Sequence, residues 1–159
     1  MAIPVSSISL SILLFFVTIS LTNAAQFSVL NFGAKGDGKT DSTKAFLATW
    51  ATVCASTKPA TMYIPPGKFF LGKTVPFEGP CKNNQILVQV AGTLVAPSNY
   101  NAIGNAEKWI IFRRVNGVTV SGGVLDGQGL SLWACKASGK NCPSGATVCL
   151  DYDLAYSNS

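Results

Sequence analysis

After one helical stretch near its start, the chain is a succession of short apolar runs broken by Gly, Pro and Asn. Met62-Tyr63-Ile64, Phe69-Phe70-Leu71, Ile86 to Val90, Thr93-Leu94-Val95, Trp109 to Phe112, Val118-Thr119-Val120 and Val124-Leu125 follow one another in this way. Runs of this length, rich in β-branched and aromatic residues and bounded by turn formers, read as strands. Few alternate strictly between apolar and polar, which points to parallel strands buried on both faces. Two stretches also match each other. Val90-Ala91-Gly92-Thr93-Leu94-Val95-Ala96 aligns with Val120-Ser121-Gly122-Gly123-Val124-Leu125-Asp126, about thirty residues later. Paired short strands around a glycine, recurring at such a period, are the pattern of coils in a solenoid. A β-sandwich also gives short strands at intervals. The doubly apolar runs favour the solenoid.

The start of the chain has a different character. Phe27 to Phe32 alternates and reads as a strand, and Gly33 to Gly38 breaks it into a turn. Asp41 can cap a helix from Ser42 to about Ala55, whose apolar face is Phe46, Trp50, Val53 and Cys54. Nothing helical is expected after it. Gly33-Ala34-Lys35-Gly36-Asp37-Gly38-Lys39-Thr40 fits the phosphate-binding pattern G-x-x-x-x-G-K-[ST]. In that reading Lys39 reaches the terminal phosphates, Thr40 ligates magnesium, and Val124-Leu125-Asp126 supplies the acid-bearing strand. Against it, the rest of the chain lacks βαβ alternation. A tight turn explains the same glycines. A P-loop nucleotide binder is therefore kept only as a remote alternative.

Residues 1–25 read as a secretory signal peptide: an uncharged run centred on Ile12-Leu13-Leu14-Phe15-Phe16-Val17, then the small residues Thr22-Asn23-Ala24-Ala25. A membrane anchor is the alternative, but polar Ser and Thr interrupt the run and no basic cluster follows. Residues 26–159 then form one domain, secreted to the extracellular space and free of the membrane after cleavage. Cys54, Cys81, Cys135, Cys142 and Cys149 all follow the leader and read as disulfide cysteines in an oxidising compartment. The close spacing of Cys135 and Cys142 across Gly139 suggests a small looped bridge, and Cys54 with Cys81 a longer one. Cys149 is left over. No Cys-x-x-Cys suggests zinc.

The chemistry available is narrow. The 159 residues contain no His, which excludes His-based nucleophile systems, His metal ligands and imidazole acid/base work in this sequence. Seven Asp+Glu against 12 Lys+Arg give a formal net charge of +5. That balance suits an acidic polymer or an anionic wall, but from charge alone Lys residues that simply keep the surface soluble are the better reading, and no basic run with interleaved aromatics argues for nucleic acid. A glycosidase needs two carboxylates facing each other across the scissile bond. Asp37 and Asp41 fall on a turn and a helix cap, and Asp126 reads as a turn residue closing a coil. Asp151 and Asp153, two apart, are the one pair spaced to project together, and they read as a solvated tail. No catalytic residue and no metal ligand is assigned. Gly33, Gly36, Gly38, Gly122, Gly123, Gly127 and Gly129 read as turn or coil-corner positions.

Four motifs in order carry a resemblance: Phe27-Ser-Val-Leu-Asn-Phe-Gly-Ala-Lys-Gly-Asp-Gly-Lys-Thr-Asp-Ser-Thr-Lys-Ala-Phe46, Tyr63-Ile-Pro-Pro-Gly67, Val118-Thr-Val-Ser-Gly-Gly-Val-Leu-Asp-Gly-Gln-Gly129, and Leu132-Trp133 with Cys135. They resemble plant polygalacturonases, glycoside hydrolase family 28, and most closely the pollen-type, exo-acting branch. The resemblance implies an all-β, right-handed parallel β-helix with one N-terminal capping helix, and secretion to the plant cell wall. It further implies inverting hydrolysis of α-1,4 galacturonan in pectin, one Asp as general acid and paired Asp residues activating water, with no metal or organic cofactor and a monomeric state. The family's catalytic motifs, Asn-Thr-Asp, Gly-Asp-Asp, Gly-His-Gly and Arg-Ile-Lys, do not occur in this sequence. The sequence is therefore expected to be a truncated, N-terminal part of such a β-helix, inactive alone, with an atypical end from about residue 148. The alternative is a non-catalytic secreted protein that binds pectin or another wall component, with scattered Lys residues and Trp109 or Trp133 as contacts.

Overall fold

The structure, a computed structural model, describes residues 24–145 and the backbone course of 147–151. Residues 1–23 of the expected signal peptide, Asp153 and the remainder of the C-terminal stretch lie outside the described residues, while Ala25, expected as the last leader residue, begins the first strand.

Among the described residues nine strands appear in chain order: β1 (Ala25–Ser28), β2 (Asp37–Asp41), β3 (Ala60–Ile64), β4 (Lys68–Phe70), β5 (Val75–Glu78), β6 (Ile86–Val95), β7 (Lys108–Arg113), β8 (Val118–Asp126) and β9 (Thr147–Asp151). Two α-helices join them, α1 (Thr43–Ala55) and α2 (Leu130–Ala137). Every strand pairing is parallel. One strip stacks β1, β3 and the first halves of β6 and β8, so that Ala25, Ala60, Ile86 and Val118 fall in one row. A second strip stacks β2, β4 and the second halves of β6 and β8, with Phe69, Leu94 and Leu125 in one row. A third strip is β5, β7 and β9. Three strips per turn of chain with like residues stacked above like is a parallel β-helix, whose crossovers take the right-handed sense.

The interior is made of rows. Met62, Ile64, Phe69, Leu71 and Val75 are essentially sealed from solvent, and Phe77, Val88, Leu94 and Phe112 nearly so. Contrary to the expectation of strands buried on both faces, β3 and β6 alternate between buried and partly exposed positions. A coil has an outside, and among the strands whose side chains are described only β7 is buried at four consecutive positions, Trp109 to Phe112.

Helix α1 closes the N-terminal end. Ser42 precedes it without a side-chain cap, and the Asp41 carboxylate instead accepts from the Thr43 amide (2.9 Å) and hydroxyl. Phe46 meets Phe69 at 5.8 Å between centroids, and Trp50 sits 5.0 Å from Phe77 and 5.5 Å from Phe112. Such aromatic pairs add about 0.5–1.5 kcal/mol beyond the area they bury. The Trp50 indole N–H donates to the Glu78 carbonyl at 2.9 Å, so the ring is buried without an orphaned donor. At the other end of α1 the last carbonyls are taken up by the Asn83 amide, which donates to Val53 and Ser56, and by the Lys82 backbone N–H, which donates to Cys54. The Cys54–Cys81 disulfide fixes this junction.

Several local expectations are corrected. The strand read over Phe27–Phe32 ends at Ser28, where the Ser28 hydroxyl caps a 3-10 turn, Val29–Phe32, closed by Gly33 at φ 92°. Two strands were not visible in the sequence: β2, a charged Asp-Gly-Lys-Thr-Asp stretch, and β5, which carries Pro76. The chain is not free of helix after Ala55, because Leu130–Ala137 forms α2. Thr147–Asp151 pairs as β9 with β7, with Ile111 opposite Cys149 and Arg113 opposite Asp151, and the atypical end expected from about residue 148 otherwise lies outside the described residues. The internal repeat is present but slipped: Val88, not Val90, lies opposite Val120, and Leu94 opposite Leu125. The slip arises at the bend. β6 turns through Ala91-Gly92, whereas β8 turns through Gly122 and Gly123, both in the left-handed region at φ 75° and 77°.

Candidate functional site

Most carboxylates of the chain have work in the fold. Asp37 accepts from the amides of Lys39 (2.9 Å) and Thr40 (2.8 Å) and from the Thr40 hydroxyl (2.7 Å). These bonds, the Thr40 amide first, pull its pKa down to about 2. Burial pushes the Asp41 carboxyl up, but hydrogen bonds from Thr43 and the Gly72 amide and the charge of Lys73 outweigh it, and its pKa is lowered. Glu78 meets Arg114 at 2.9 Å and Arg113 at 3.6 Å. Asp126 ends β8 and accepts from the Gln128 amide at 3.1 Å, as a turn residue does. Among the described residues no group of three or more His, Cys, Asp or Glu converges as a metal site would.

The phosphate-loop-like string has a different use. Lys39 and Thr40 lie within β2 rather than at the start of a helix, and their amides point at Asp37. A phosphate loop needs those amides free and a helix directly behind them. Of the other turn positions, Gly33 and Gly38 take positive φ (92° and 69°), while Gly36 lies against Phe69 and Gly67. Gly127 stands in open space, and Gly129 sits with αR backbone at the N-terminus of α2.

The groove with the chemistry of a binding site lies on the loop side of the second strip. A cavity of about 840 Å³ runs between the segment after β6 (Pro97 to Gly104), the Gly127-Gln128-Gly129 turn and α2. The Ser131 hydroxyl donates to the Ser98 carbonyl at 2.5 Å, and the Gly145 amide to the Gly104 carbonyl at 3.3 Å, which tie its walls together. The Cys135–Cys142 disulfide closes the loop that carries α2. On this helix Trp133 is 66% exposed, and the Lys136 ammonium stands 5.1 Å from the centre of its ring. That ammonium also donates to the Ser144 carbonyl at 3.0 Å.

The two tryptophans considered as sugar contacts are thus separated by the fold. Trp109 is 4% exposed and its indole N–H donates to the Leu71 carbonyl, so it belongs to the core. Trp133 faces the groove. Lys136 escaped notice in the sequence because its partnership with Trp133 depends on helical i, i+3 spacing, and no helix was assigned there.

The described coils define a parallel β-helix protein whose outer loops carry a groove of about 840 Å³. A family model described as "Rhamnogalacturonase A/epimerase, pectate lyase-like" matches residues 26–130. The chain belongs to that family. It is 57% identical over 156 residues to a polygalacturonase of Prunus persica, covering 97% of this chain and 38% of that protein. It is 39% identical over 121 residues to an exopolygalacturonase of Platanus acerifolia, covering 76% of this chain and 31% of that one. The crystal structure of an exopolygalacturonase from Thermotoga maritima aligns with a TM-score of 0.47 at 21% identity, over 64% of this chain and 24% of that one. The chain spans well under half the length of the relatives it matches. The likeness to plant polygalacturonases of glycoside hydrolase family 28, carried by the four motifs, holds along nearly the whole chain.

Proposed function

We propose that this chain supplies the N-terminal coils of a polygalacturonase, an extracellular plant cell-wall enzyme that hydrolyses the α-1,4 galacturonan of pectin with inversion. The observation that carries the proposal is the 57% identity to the Prunus persica polygalacturonase across 97% of the chain. Inversion needs a carboxylic acid and a carboxylate on opposite faces of the sugar, far enough apart to admit a water. Asp37, Asp41, Glu78 and Asp126 are engaged in turns, a cap and an ion pair, and the family's Asp and His motifs are absent from this sequence. These carboxylates therefore build and close the scaffold, while the acid and base stand elsewhere in the enzyme.

The test is to incubate the chain with polygalacturonate, follow reducing ends, and measure co-sedimentation with the polymer at low salt. Binding without release of reducing ends is expected. Release of reducing ends contradicts the assignment of chemistry to other coils, and absence of binding contradicts the pectin reading.

A further inference from the structure

The groove beside α2 has features that neither the catalytic reading nor the scaffold needs. Trp50 and Trp109 are each 4% exposed and each donates its indole N–H to a backbone carbonyl, whereas Trp133 is 66% exposed. Exposing a large aromatic surface forgoes the stabilisation its burial brings. The position is not left loose. The Cys135–Cys142 disulfide, the Ser131–Ser98 bond and the Gly145–Gly104 bond all hold the helix and the loops facing it. The Lys136 ammonium is oriented by the Ser144 carbonyl and the indole face, and one such bond leaves further N–H donors for a ligand.

We propose that this groove is a subsite for one uronate unit of the polymer, with Trp133 as the stacking platform and Lys136 as the partner of the sugar carboxylate. The proposal rests on the pectin reading above. A galacturonate ring has an apolar C–H face that suits an indole and a carboxylate at its rim that suits an ammonium. One exposed ring with a cation held at its face presents both features together. The remaining lining supplies partners for hydroxyls: Tyr100, Gln128 and Ser144 all border the cavity. Its volume, about 840 Å³, lies within the range of small-molecule sites. A neutral galactan has the stacking face but lacks the carboxylate, so discrimination between the two polymers falls to Lys136.

Acrylamide quenching of tryptophan fluorescence reads this site directly, because Trp133 is the exposed one of the three tryptophans. In the full chain, polygalacturonate is expected to shield the emission from acrylamide and neutral galactan to leave it open. Trp133→Ala is expected to weaken polygalacturonate binding by roughly tenfold, the scale of a lost stacking contact. Lys136→Gln is expected to weaken it by roughly threefold to tenfold and to narrow the preference over galactan. Lys58→Gln, on a distant exposed turn, is expected to bind as the parent does. Far-UV circular dichroism confirms that the variants keep the fold. Parent binding with Trp133 still open to acrylamide and both variants at parental affinity overturns the subsite and leaves the pectin reading standing. A parent that does not bind polygalacturonate overturns both.

Discussion

The two ends of the coil stack are built from the same rows and treat them differently. Val88 and Val120 are register partners, as are Leu94 and Leu125. In β6 they are 4% and 7% exposed; in β8 their counterparts are 48% and 52% exposed. At the N-terminal end the rows run under α1, with Phe46 and Trp50 laid across the aromatic rings of β4, β5 and β7. At the β8 end they line a cavity of about 370 Å³ reaching from Phe46 and Met62 to Val120 and Leu125. The comparison shows what stabilises a solenoid coil. Burial is conferred by the neighbour above and below, not by the coil's own sequence, so identical residue types have different worth at different heights.

Three substitutions break or sharpen that contrast. The largest effect is expected at the capped end, where Trp50→Ala removes a ring packed against Phe77 and Phe112. It should cost about 3–5 kcal/mol in denaturant unfolding, and a loss below about 1 kcal/mol would mean that α1 is not the lid described here. A matched pair comes next. Val88→Ala should lower stability by roughly 1–3 kcal/mol, while Val120→Ala, on the row partner, should stay within about 0.5 kcal/mol. Equal effects at the two positions would erase the distinction between covered and uncovered coils.

The smallest effect concerns Asp37. Its folded pKa is about 2 against an ordinary 3.8. Between those values the unfolded chain holds more protons than the folded one, so the contribution is present above about pH 4 and lost as pH falls toward 2. The difference in unfolding midpoint between the parent and Asp37→Asn should therefore shrink across that window. A constant difference from pH 5 to pH 2 would show that the carboxylate charge has no part in holding the turn.

The architecture was more legible in the sequence than its register. The strands β3, β4, β6, β7 and β8 announce themselves because Met62, Phe69, Val88, Ile110 and Val120 sit in short β-branched and aromatic runs. Strand β2 does not, since Asp37 to Asp41 owes its extension to pairing with β4 and has no apolar run of its own. The repeat was visible, but Gly122 and Gly123 against Ala91-Gly92 conceal a bulge, and a bulge moves the register without changing residue types. The groove was half legible. Trp133 stood out as a candidate, yet only the fold distinguishes it from Trp109, and Lys136 acquires meaning only once α2 brings it over the indole.

The most direct test of the account replaces the matching segment of the Prunus persica polygalacturonase with residues 26–145 of this chain and follows hydrolysis of polygalacturonate by NMR. The account predicts that the chimera cleaves the polymer and releases the product with inverted anomeric configuration. A chimera that folds, as judged by circular dichroism, and binds polygalacturonate but cleaves none would contradict the claim that these coils are those of a pectin hydrolase.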